Sequence, residues 1–221
     1  MSGMCLVISG GEIMDSIYYK ELSRKADCVI CADGGARSAM RLGIVPDIVM
    51  GDFDTLSEDE IEAFIHEDIK IIRYPREKEY TDTHLCIIEA INRGFTEIIM
   101  IGALGGRLDH SLANIMLLAL PEAAGTKIKI SDEDQDVYLI RDNCEITGNI
   151  GDTLSMFPLS ESVKGISTKG LKYPLEQGEF IMGIPKGISN QMLSDSAEVR
   201  LEEGSILVIQ YKTDLGKPQV R

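Results

Sequence analysis

The stretch Asp47-Ile48-Val49-Met50-Gly51-Asp52-Phe53-Asp54-Thr55 joins a short apolar run to two carboxylates. An apolar run of this length predicts a buried β-strand, with Asp52 and Asp54 placed where the chain leaves the core. At the end of a parallel strand, this position opens onto the crevice in which α/β sheets bind ligands. Mg²⁺ prefers a few carboxylate oxygens together with substrate phosphates. The stretch therefore predicts a magnesium–nucleotide site, with an ordinary Asp-rich surface loop as the alternative.

On both sides of this stretch, the first half of the chain alternates between strand and helix patterns. Asp15 is a candidate cap of the first helix, Ser57-Glu58-Asp59-Glu60 forms a capping-box pattern, and Gly94 is the expected C-cap of the fourth helix. The alternation predicts an α/β domain with a mainly parallel, helix-covered sheet. Strands are predicted at residues 4–9, 28–32, 48–50, 69–74, 97–101 and 127–130, and helices at residues 15–25, 36–42, 57–67, 82–92 and 108–120.

The pattern changes at the acidic run 131–136, which is expected to be a solvated connection or, alternatively, to lie at the mouth of the crevice. Beyond it, helical periodicity disappears and Gly and Pro turns separate short apolar stretches, which is typical of a small all-β sandwich or barrel. We therefore expect an α/β domain at residues 1–132 and a β-sandwich domain at residues 133–221, with a loose tail at 213–221. Strands of the second domain are predicted at residues 137–140, 153–157, 180–184, 198–201 and 205–211.

Composition restricts the classes of function. The 221 residues are 44% hydrophobic, enough for a substantial core, and their formal net charge of −14 disfavours non-specific binding to nucleic acid. Because the sequence has no apolar run of about 18 residues and no charged-then-apolar leader, we expect a cytoplasmic protein without a membrane partner. Five cysteines, an odd number, fit a reducing compartment. Cys28 and Cys31 lie in a predicted buried strand and are expected to pack in the core rather than bind zinc.

Aspartates follow four consecutive strands predicted in the first half. Because the carboxyl ends of parallel strands lie on one edge of a sheet, these side chains are expected to converge there. Converging carboxylates repel one another unless a metal ion neutralises them, which a set of unrelated helix caps does not require. The residues concerned are Asp33, Asp52, Asp54, Asp82 and Asp109.

The turn Gly102-Ala103-Leu104-Gly105-Gly106-Arg107 follows a predicted strand and opens a helix. Its glycines allow backbone N–H groups to approach an anion at a helix N-terminus, and Arg107 supplies a fork-shaped phosphate ligand. The turn matches neither G-x-G-x-x-G nor G-x-x-x-x-G-K-[ST], so on its own it is weak support for phosphate binding. His110 is a candidate polar contact or proton carrier. No Ser/His/Asp or Cys/His arrangement in the sequence indicates covalent catalysis.

Together these motifs resemble the thiamine pyrophosphokinase family. The resemblance extends over nearly the whole chain, in order and across both predicted domains. The residues that carry it are Asp33-Gly34-Gly35-Ala36, Gly51-Asp52-Phe53-Asp54, Lys78, Thr81-Asp82, Gly105-Gly106-Arg107-Leu108-Asp109-His110, Leu112 and Asn114 in the first half, and residues 165–168, Gly170-Leu171-Lys172-Tyr173-Pro174-Leu175 and Gly187-Ile188-Ser189-Asn190 in the second half.

The resemblance implies a catalytic α/β domain for Mg²⁺ and nucleotide, followed by a β-sandwich that helps to bind thiamine. It also implies a homodimer whose active sites lie between the catalytic domain of one subunit and the sandwich of the other. The implied reaction moves a pyrophosphoryl group from ATP, the co-substrate, to the hydroxyethyl oxygen of thiamine and releases AMP. Mg²⁺ would be the cofactor, held by Asp52, Asp54 and Asp82, and Asp54 or Asp82 would accept the proton of the thiamine hydroxyl.

The same resemblance implies a role for each matching residue. The implied catalytic residues are Asp52, Asp54, Asp82 and Asp109. The implied ATP and phosphate contacts are Asp33, Gly34, Gly35, Lys78, Thr81, Gly105, Gly106, Arg107 and His110. The implied thiamine contacts are Ser189 and Asn190 of the partner subunit, together with Tyr173.

One departure from the family concerns the thiamine ring. The chain contains no Trp, whereas some family members place an indole near that ring, and Tyr173 is the candidate replacement. Two other functions remain open. One is a kinase that transfers the γ-phosphate to a small alcohol and releases ADP, and the other is a catalytically silent sensor of thiamine or nucleotide.

Overall fold

The computed structural model describes residues 3–14 and 17–213. They form two compact units, of which the first ends at Asp132 and the second begins at Glu133. The helix cap predicted at Asp15 and residues 214–221 of the tail predicted at 213–221 lie outside the described residues. Within the described ranges, no helix combines the length and the apolar character needed to cross a membrane.

The first unit is a parallel sheet covered by helices, which confirms the predicted class. Its strands stand in the spatial order β6-β5-β1-β2-β3-β4, and every described pairing between them is parallel. The strands are β1 (Met4–Ile8), β2 (Cys28–Ala32), β3 (Ile48–Gly51), β4 (Lys70–Arg73), β5 (Glu97–Ile101) and β6 (Lys127–Ser131), and the helices are α1 (Ile17–Lys25), α2 (Gly35–Leu42), α3 (Glu58–His66), α4 (Asp82–Asn92) and α5 (Leu108–Met116).

Strand β2 lies in the interior of this sheet and all five of its residues are buried. Val29 and Cys31 belong to the core cluster on one face, and Cys28, which is three residues before Cys31, points to the other face. Both cysteines are free thiols. The prediction that this pair packs in the core is confirmed.

Helix ends follow the sequence signals with two differences. The capping box at Ser57 and Glu60 is present, and Gly94 adopts a left-handed φ of 84° immediately after the C-cap residue, Arg93, rather than at the cap itself. The helix predicted at 108–120 is too long, because α5 ends at Met116 and continues only as a short 3-10 turn. Pro121 disfavours helical geometry in the residue before it and lacks the N–H that a longer helix needs.

The second unit consists of two antiparallel sheets that enclose an apolar core, which confirms the predicted sandwich. The sheets have the strand orders β12-β9-β14-β7 and β11-β10-β13-β8. Leu154, Val163, Val199 and Val208 are among the fully buried residues between them. The strands are β7 (Gln135–Ile140), β8 (Asn143–Thr147), β9 (Thr153–Pro158), β10 (Ser162–Lys169), β11 (Gly178–Ile181), β12 (Gly187–Gln191), β13 (Ser196–Arg200) and β14 (Ile206–Tyr211).

Three of these strands, β8, β10 and β12, are absent from the sequence predictions. Their composition is polar, and β10 contains Gly165 at a φ of 68° where its register with β11 shifts. A bulge of this kind interrupts the alternation on which strand prediction depends. The acidic run is also not entirely a connection, because β7 begins at Gln135 and Asp136 forms an ion pair with Lys212 at 2.8 Å.

Candidate active site

A cavity of 670 Å³ opens at the carboxyl-terminal edge of the parallel sheet, where the predicted site residues were expected. It is bounded by the turns that follow β1, β2 and β5 and by the segment that leads into α4. The predicted residues that line it are Asp33, Gly34, Lys78, Thr81, Asp82, Gly105, Gly106, Arg107 and His110.

Three carboxylates meet beside this cavity. Asp33, Asp52 and Asp54 each offer one oxygen, and these oxygens all lie within 4.8 Å of one another. Asp33 is buried, and its Oδ1 has no hydrogen-bond partner among the described residues, whereas its Oδ2 accepts a hydrogen bond from Thr55 Oγ1 at 2.6 Å. Three carboxylates this close together, one of them with a buried oxygen that has no hydrogen-bond partner among the described residues, are a suitable donor set for a hard cation. The grouping includes Asp33, which the family resemblance implies as an ATP or phosphate contact.

Lys78 connects this cluster to Asp82. Its Nζ lies 3.2 Å from Asp52 Oδ2 and 3.2 Å from Asp82 Oδ1. Burial alone lowers the pKa of Lys78, but the two carboxylates outweigh it and the net pKa is raised. Burial is the main cause that raises the pKa of Asp82 above its usual value. Lys78 is therefore a stable positive charge between two acids, and Asp82 is the more readily protonated of them.

The turn after β2 and the loop after β3 each contain a residue in an uncommon backbone conformation. Asp33 has a φ of 41° and Phe53 a φ of 62°, both in the left-handed region that non-glycine residues rarely adopt. Phe53 is buried, and the guanidinium of Arg73 lies 4.8 Å from its ring centroid. A Cβ added to Gly51 would lie 2.8 Å from Asp33 Cβ. The loop after β3 therefore approaches the end of β2 closely, which brings its two carboxylates to Asp33.

The expected convergence of five carboxylates is not seen among the described residues, because the group contains neither Asp82 nor Asp109. Asp109 Oδ1 and Oδ2 accept hydrogen bonds from Arg107 Nε at 3.1 Å and Nη2 at 2.5 Å, and both side chains are exposed. Arg107 is the main cause that lowers the pKa of Asp109 to about 2. Since β1 and β2 lie between β5 and β3, the ends of β5 and β3 are about 14 Å apart at the usual strand spacing.

The glycine turn before α5 is shaped by its own side-chain contacts. Gly105 and Gly106 have φ values of 96° and 62°, and Ser111 Oγ accepts a hydrogen bond from the Gly105 N–H at 3.1 Å. Asn114 is buried and donates to the carbonyl of Ala103 at 2.8 Å. These contacts hold the turn at the wall of the cavity, and His110 lies in the same wall.

Two predicted contacts have structural roles. Thr81 lines the cavity and also caps α4, since its Oγ1 accepts a hydrogen bond from the His84 N–H at 3.2 Å. Gly35 does not line the cavity, and a Cβ there would lie 2.1 Å from the carbonyl oxygen of Ile8, so packing of α2 against β1 requires this glycine.

Sequence reasoning missed several residues of the cavity wall. Thr55 and Arg76 belong to it, and Arg76 Nη2 lies 3.5 Å from Asp54 Oδ2. Ser9 and Thr83 are buried there and hydrogen-bond to each other at 3.1 Å. Position in the sequence could have identified Ser9, because Ser9 and Gly10 directly follow β1 on the same sheet edge as the aspartates.

The three predicted thiamine contacts lie in the second unit. Asn190 is buried, and its side chain accepts from the Tyr173 N–H at 3.0 Å and donates to the Tyr173 carbonyl at 2.8 Å. Tyr173 is 61% exposed, and Ser189 is exposed with a φ of 58°. Asn190 thus holds the turn that presents Tyr173, and Lys172 Nζ lies 5.6 Å from the centroid of the Tyr173 ring.

Comparisons with known proteins agree with this architecture. The family model for the catalytic domain of thiamin pyrophosphokinase matches residues 19–130, and the model for its vitamin B1 binding domain matches residues 136–206. Thiamine pyrophosphokinase of Bacillus subtilis is 27% identical and aligns with 82% of this chain and 86% of that protein.

Solved structures are similar over nearly the whole chain. The thiamin pyrophosphokinase family protein of Enterococcus faecalis has a TM-score of 0.82 at 26% identity, covering 96% of this chain and 100% of that chain. The thiamin pyrophosphokinase of Geobacillus thermodenitrificans has a TM-score of 0.81 at 26% identity, covering 96% and 99%. The chain belongs to the thiamin pyrophosphokinase family of enzymes.

Proposed function

We propose that the enzyme transfers a pyrophosphoryl group from ATP to the hydroxyethyl oxygen of thiamine. In this reaction the thiamine oxygen forms a bond to the β-phosphorus, and the bond from that phosphorus to the α,β-bridging oxygen breaks. AMP leaves with the bridging oxygen, and the proton of the hydroxyl passes to a carboxylate. The observation that carries the proposal is the cluster of Asp33, Asp52 and Asp54 beside a cavity that Lys78 and Arg107 also line.

The donor set fits Mg²⁺. Three carboxylate oxygens lie within 4.8 Å of one another, and Asp33 Oδ1 has no hydrogen-bond partner among the described residues. We propose that Asp33, Asp52 and Asp54 hold the ion, and that Asp82 contributes on the side of Lys78. When bound, Mg²⁺ supplies neutralisation of charge on the phosphoryl oxygens.

The residues of the chain provide positioning and charge. Lys78 and Arg107 are proposed phosphate contacts, and the N–H groups of Gly105 and Gly106 are proposed to face phosphate oxygens at the start of α5. Asp82 is the preferred acceptor of the hydroxyl proton, since its pKa is raised by burial and it lines the cavity. Asp54 remains the alternative acceptor. Gly34, Thr81 and His110 complete the proposed nucleotide contacts.

We propose that the first unit binds nucleotide and that the second binds thiamine through Tyr173 and Ser189. The exposed Tyr173 ring supports this assignment, because an aromatic face suits a cationic heterocycle. The family resemblance supports a homodimer with shared active sites. Five free cysteines support a cytoplasmic location.

The decisive experiment incubates the purified protein with thiamine, ATP and MgCl₂ and separates nucleotides and thiamine esters by chromatography. We expect AMP and thiamine pyrophosphate in equal amounts. Formation of ADP with thiamine monophosphate would instead show transfer of the γ-phosphate. Binding of thiamine without any turnover, across several metals and nucleotides, would favour the sensor.

A further inference from the structure

Arg37, on α2, contacts both the end of the loop after β3 and the first turn of α3. Its Nη2 donates to the carbonyl of Thr55 at 2.6 Å, at the end of the loop that carries Asp52 and Asp54. Its Nε and Nη2 also donate to Glu60 Oε1 and Oε2 at 2.8 and 2.9 Å, in the first turn of α3. A planar guanidinium satisfies this paired geometry, and a lysine does not.

Glu60 connects the same arginine to the start of α3. Its Oε2 accepts hydrogen bonds from Ser57 N at 2.8 Å and from Ser57 Oγ at 3.0 Å. Arg37 is the main cause that lowers the pKa of Glu60 to about 2, so the carboxylate remains charged throughout the neutral range. We call Arg37 and Glu60 the clamp, since together they fix the chain on both sides of Leu56.

Thr55 links the clamp to the acidic cluster. Its carbonyl is held by Arg37, and its hydroxyl donates to Asp33 Oδ2 at 2.6 Å. That hydrogen bond restricts rotation of the Asp33 carboxyl group and leaves Oδ1 without a hydrogen-bond partner among the described residues. The position of Thr55 therefore affects both the loop that carries Asp52 and Asp54 and the orientation of Asp33.

We propose that Arg37 and Glu60 are positioning residues that hold Asp33, Asp52 and Asp54 in a shared metal-binding geometry. Arg37 is not among the described residues that line the 670 Å³ cavity, so it acts through Thr55 rather than on the substrate. An exposed ion pair usually contributes little to stability. Here the ion pair fixes the positions of the carboxylates, and a small displacement of a metal ligand strongly weakens metal binding. The inference rests on the metal site of the proposed function.

The test compares Arg37→Gln and Glu60→Gln with a matched ion pair elsewhere. Arg93 Nε and Nη2 contact Glu89 Oε1 at 2.9 and 2.8 Å at the far end of α4, so Arg93→Gln removes the same chemistry away from the site. Glutamine at position 60 retains the oxygen that the capping box needs. Binding of Mn²⁺ to each full-length protein, without nucleotide, is measured by electron paramagnetic resonance.

We expect Arg37→Gln and Glu60→Gln to weaken Mn²⁺ binding roughly tenfold, which is the low end of the range for residues that support metal ligands. The Mg²⁺ concentration for half-maximal rate should rise by the same factor, while kcat at saturating Mg²⁺ stays near that of the unmodified protein. Arg93→Gln should change neither quantity. If Arg37 and Glu60 only stabilised the fold, their replacement would lower the fraction of active protein. It would not raise the Mg²⁺ requirement while leaving kcat at saturating Mg²⁺ unchanged.

Variants at position 55 provide an independent check that does not depend on the folding of the Arg37 variant. Thr55→Val removes the hydroxyl and should weaken Mn²⁺ binding, whereas Thr55→Ser retains it and should restore binding. Arg37→Lys keeps the charge but loses the paired hydrogen bonds, and it should behave like Arg37→Gln.

The inference is overturned if Arg37→Gln, Glu60→Gln and Thr55→Val bind Mn²⁺ as tightly as Arg93→Gln. Two further results would overturn both this inference and the proposed metal site. One is that the unmodified protein binds no Mn²⁺, and the other is that Asp54→Asn binds Mn²⁺ as tightly as the unmodified protein. A protein that binds Mn²⁺ but forms no thiamine pyrophosphate contradicts the proposed function alone, because the binding measurements still decide the role of the clamp.

Discussion

Aspartates that follow strands of the same sheet have the same side chain but different surroundings. Asp54 shares a cluster with two other carboxylates, whereas Asp109 is exposed and paired with Arg107. Both follow a strand of the same sheet, so the sequence pattern treats them alike. Their neighbours in space, which depend on strand order and side-chain direction, separate them.

We predict that Asp54→Asn lowers kcat by about 10² or more, the usual minimum effect of losing a group that takes part in proton transfer or charge stabilisation. Mn²⁺ binding should be lost as well, since one of the three proposed carboxylate ligands becomes neutral. Steady-state kinetics and metal titration measure both effects. Asp59→Asn, an exposed change in the first turn of α3, is the control. Near-normal turnover of Asp54→Asn at saturating Mg²⁺ would remove Asp54 from the catalytic set.

For Asp109→Asn, we expect a loss of kcat at least tenfold smaller than for Asp54→Asn. Its carboxylate is exposed and is engaged by Arg107 rather than by the cluster. The same kinetic assay compares the two variants. Equal losses would return Asp109 to the catalytic role that the family resemblance implies.

At the scale of elements, the close approach of β2 and the loop after β3 depends on Gly51. We predict that Gly51→Ala displaces Asp33, because the added Cβ would lie 2.8 Å from Asp33 Cβ and 3.2 Å from its Cα. Mn²⁺ binding and kcat should both fall. The two measurements are metal titration and turnover at saturating Mg²⁺.

Gly43→Ala is the matched control for Gly51→Ala. Gly43 has a φ of 68°, but a Cβ there meets no atom within 4 Å. This substitution should lower the free energy of unfolding by about 1 kcal/mol through left-handed strain while leaving metal binding unchanged. If Gly51→Ala binds Mn²⁺ normally, the neighbouring strand accommodates the methyl group and the close approach is not essential.

The second unit contains a buried carboxylate whose effect on stability depends on pH. Asp152 accepts hydrogen bonds from Thr213 N at 2.6 Å, Asn149 N at 3.0 Å and Gln210 Nε2 at 3.0 Å. Burial alone raises the pKa of Asp152, but these hydrogen bonds outweigh it and the net pKa is lowered. The stabilisation is therefore present above the unfolded-state pKa of aspartate and is lost as the pH falls through the lower folded-state pKa.

We predict that Asp152→Asn lowers the free energy of unfolding at pH 7 by about 2 kcal/mol, the scale for loss of hydrogen bonds to a charged group. Its stability should also fall less steeply on acidification than that of the unmodified protein. Urea unfolding at several pH values measures both effects, with the exposed Asp195→Asn as control. Parallel acid profiles of the two variants would show that Asp152 does not contribute to the pH dependence.

At the scale of the whole molecule, the proposed sharing of active sites between subunits predicts complementation. Asp54→Asn and Tyr173→Ala carry changes in different units, so a mixed dimer with shared sites contains one site free of both changes. Random mixing of the two chains should restore about a quarter of the activity, because half of the dimers are mixed and each has one intact site of two. The assay follows thiamine pyrophosphate after the two proteins are refolded together. If each site lies within a single chain, no activity returns.

The sequence by itself determined the class of both units and the sheet edge at which the candidate site lies. Hydrophobic periodicity and turn residues are local, so they identify β1 to β6 and the α/β class without knowledge of packing. The position of Asp33, Asp52 and Asp54 after their strands was sufficient to place them on one edge. The polar strands β8, β10 and β12 have no such local signal, because pairing with neighbouring strands stabilises them.

Only the tertiary structure decided which of these residues lie close together. Strand order places β2 next to β3 and separates β5 from them, so Asp33 joins Asp52 and Asp54 while Asp109 does not. The contact of Arg37 with Thr55 and Glu60 likewise links helices and a loop that are distant in sequence. Such groupings depend on the relative placement of packed elements, which the pattern of residues along one element does not contain.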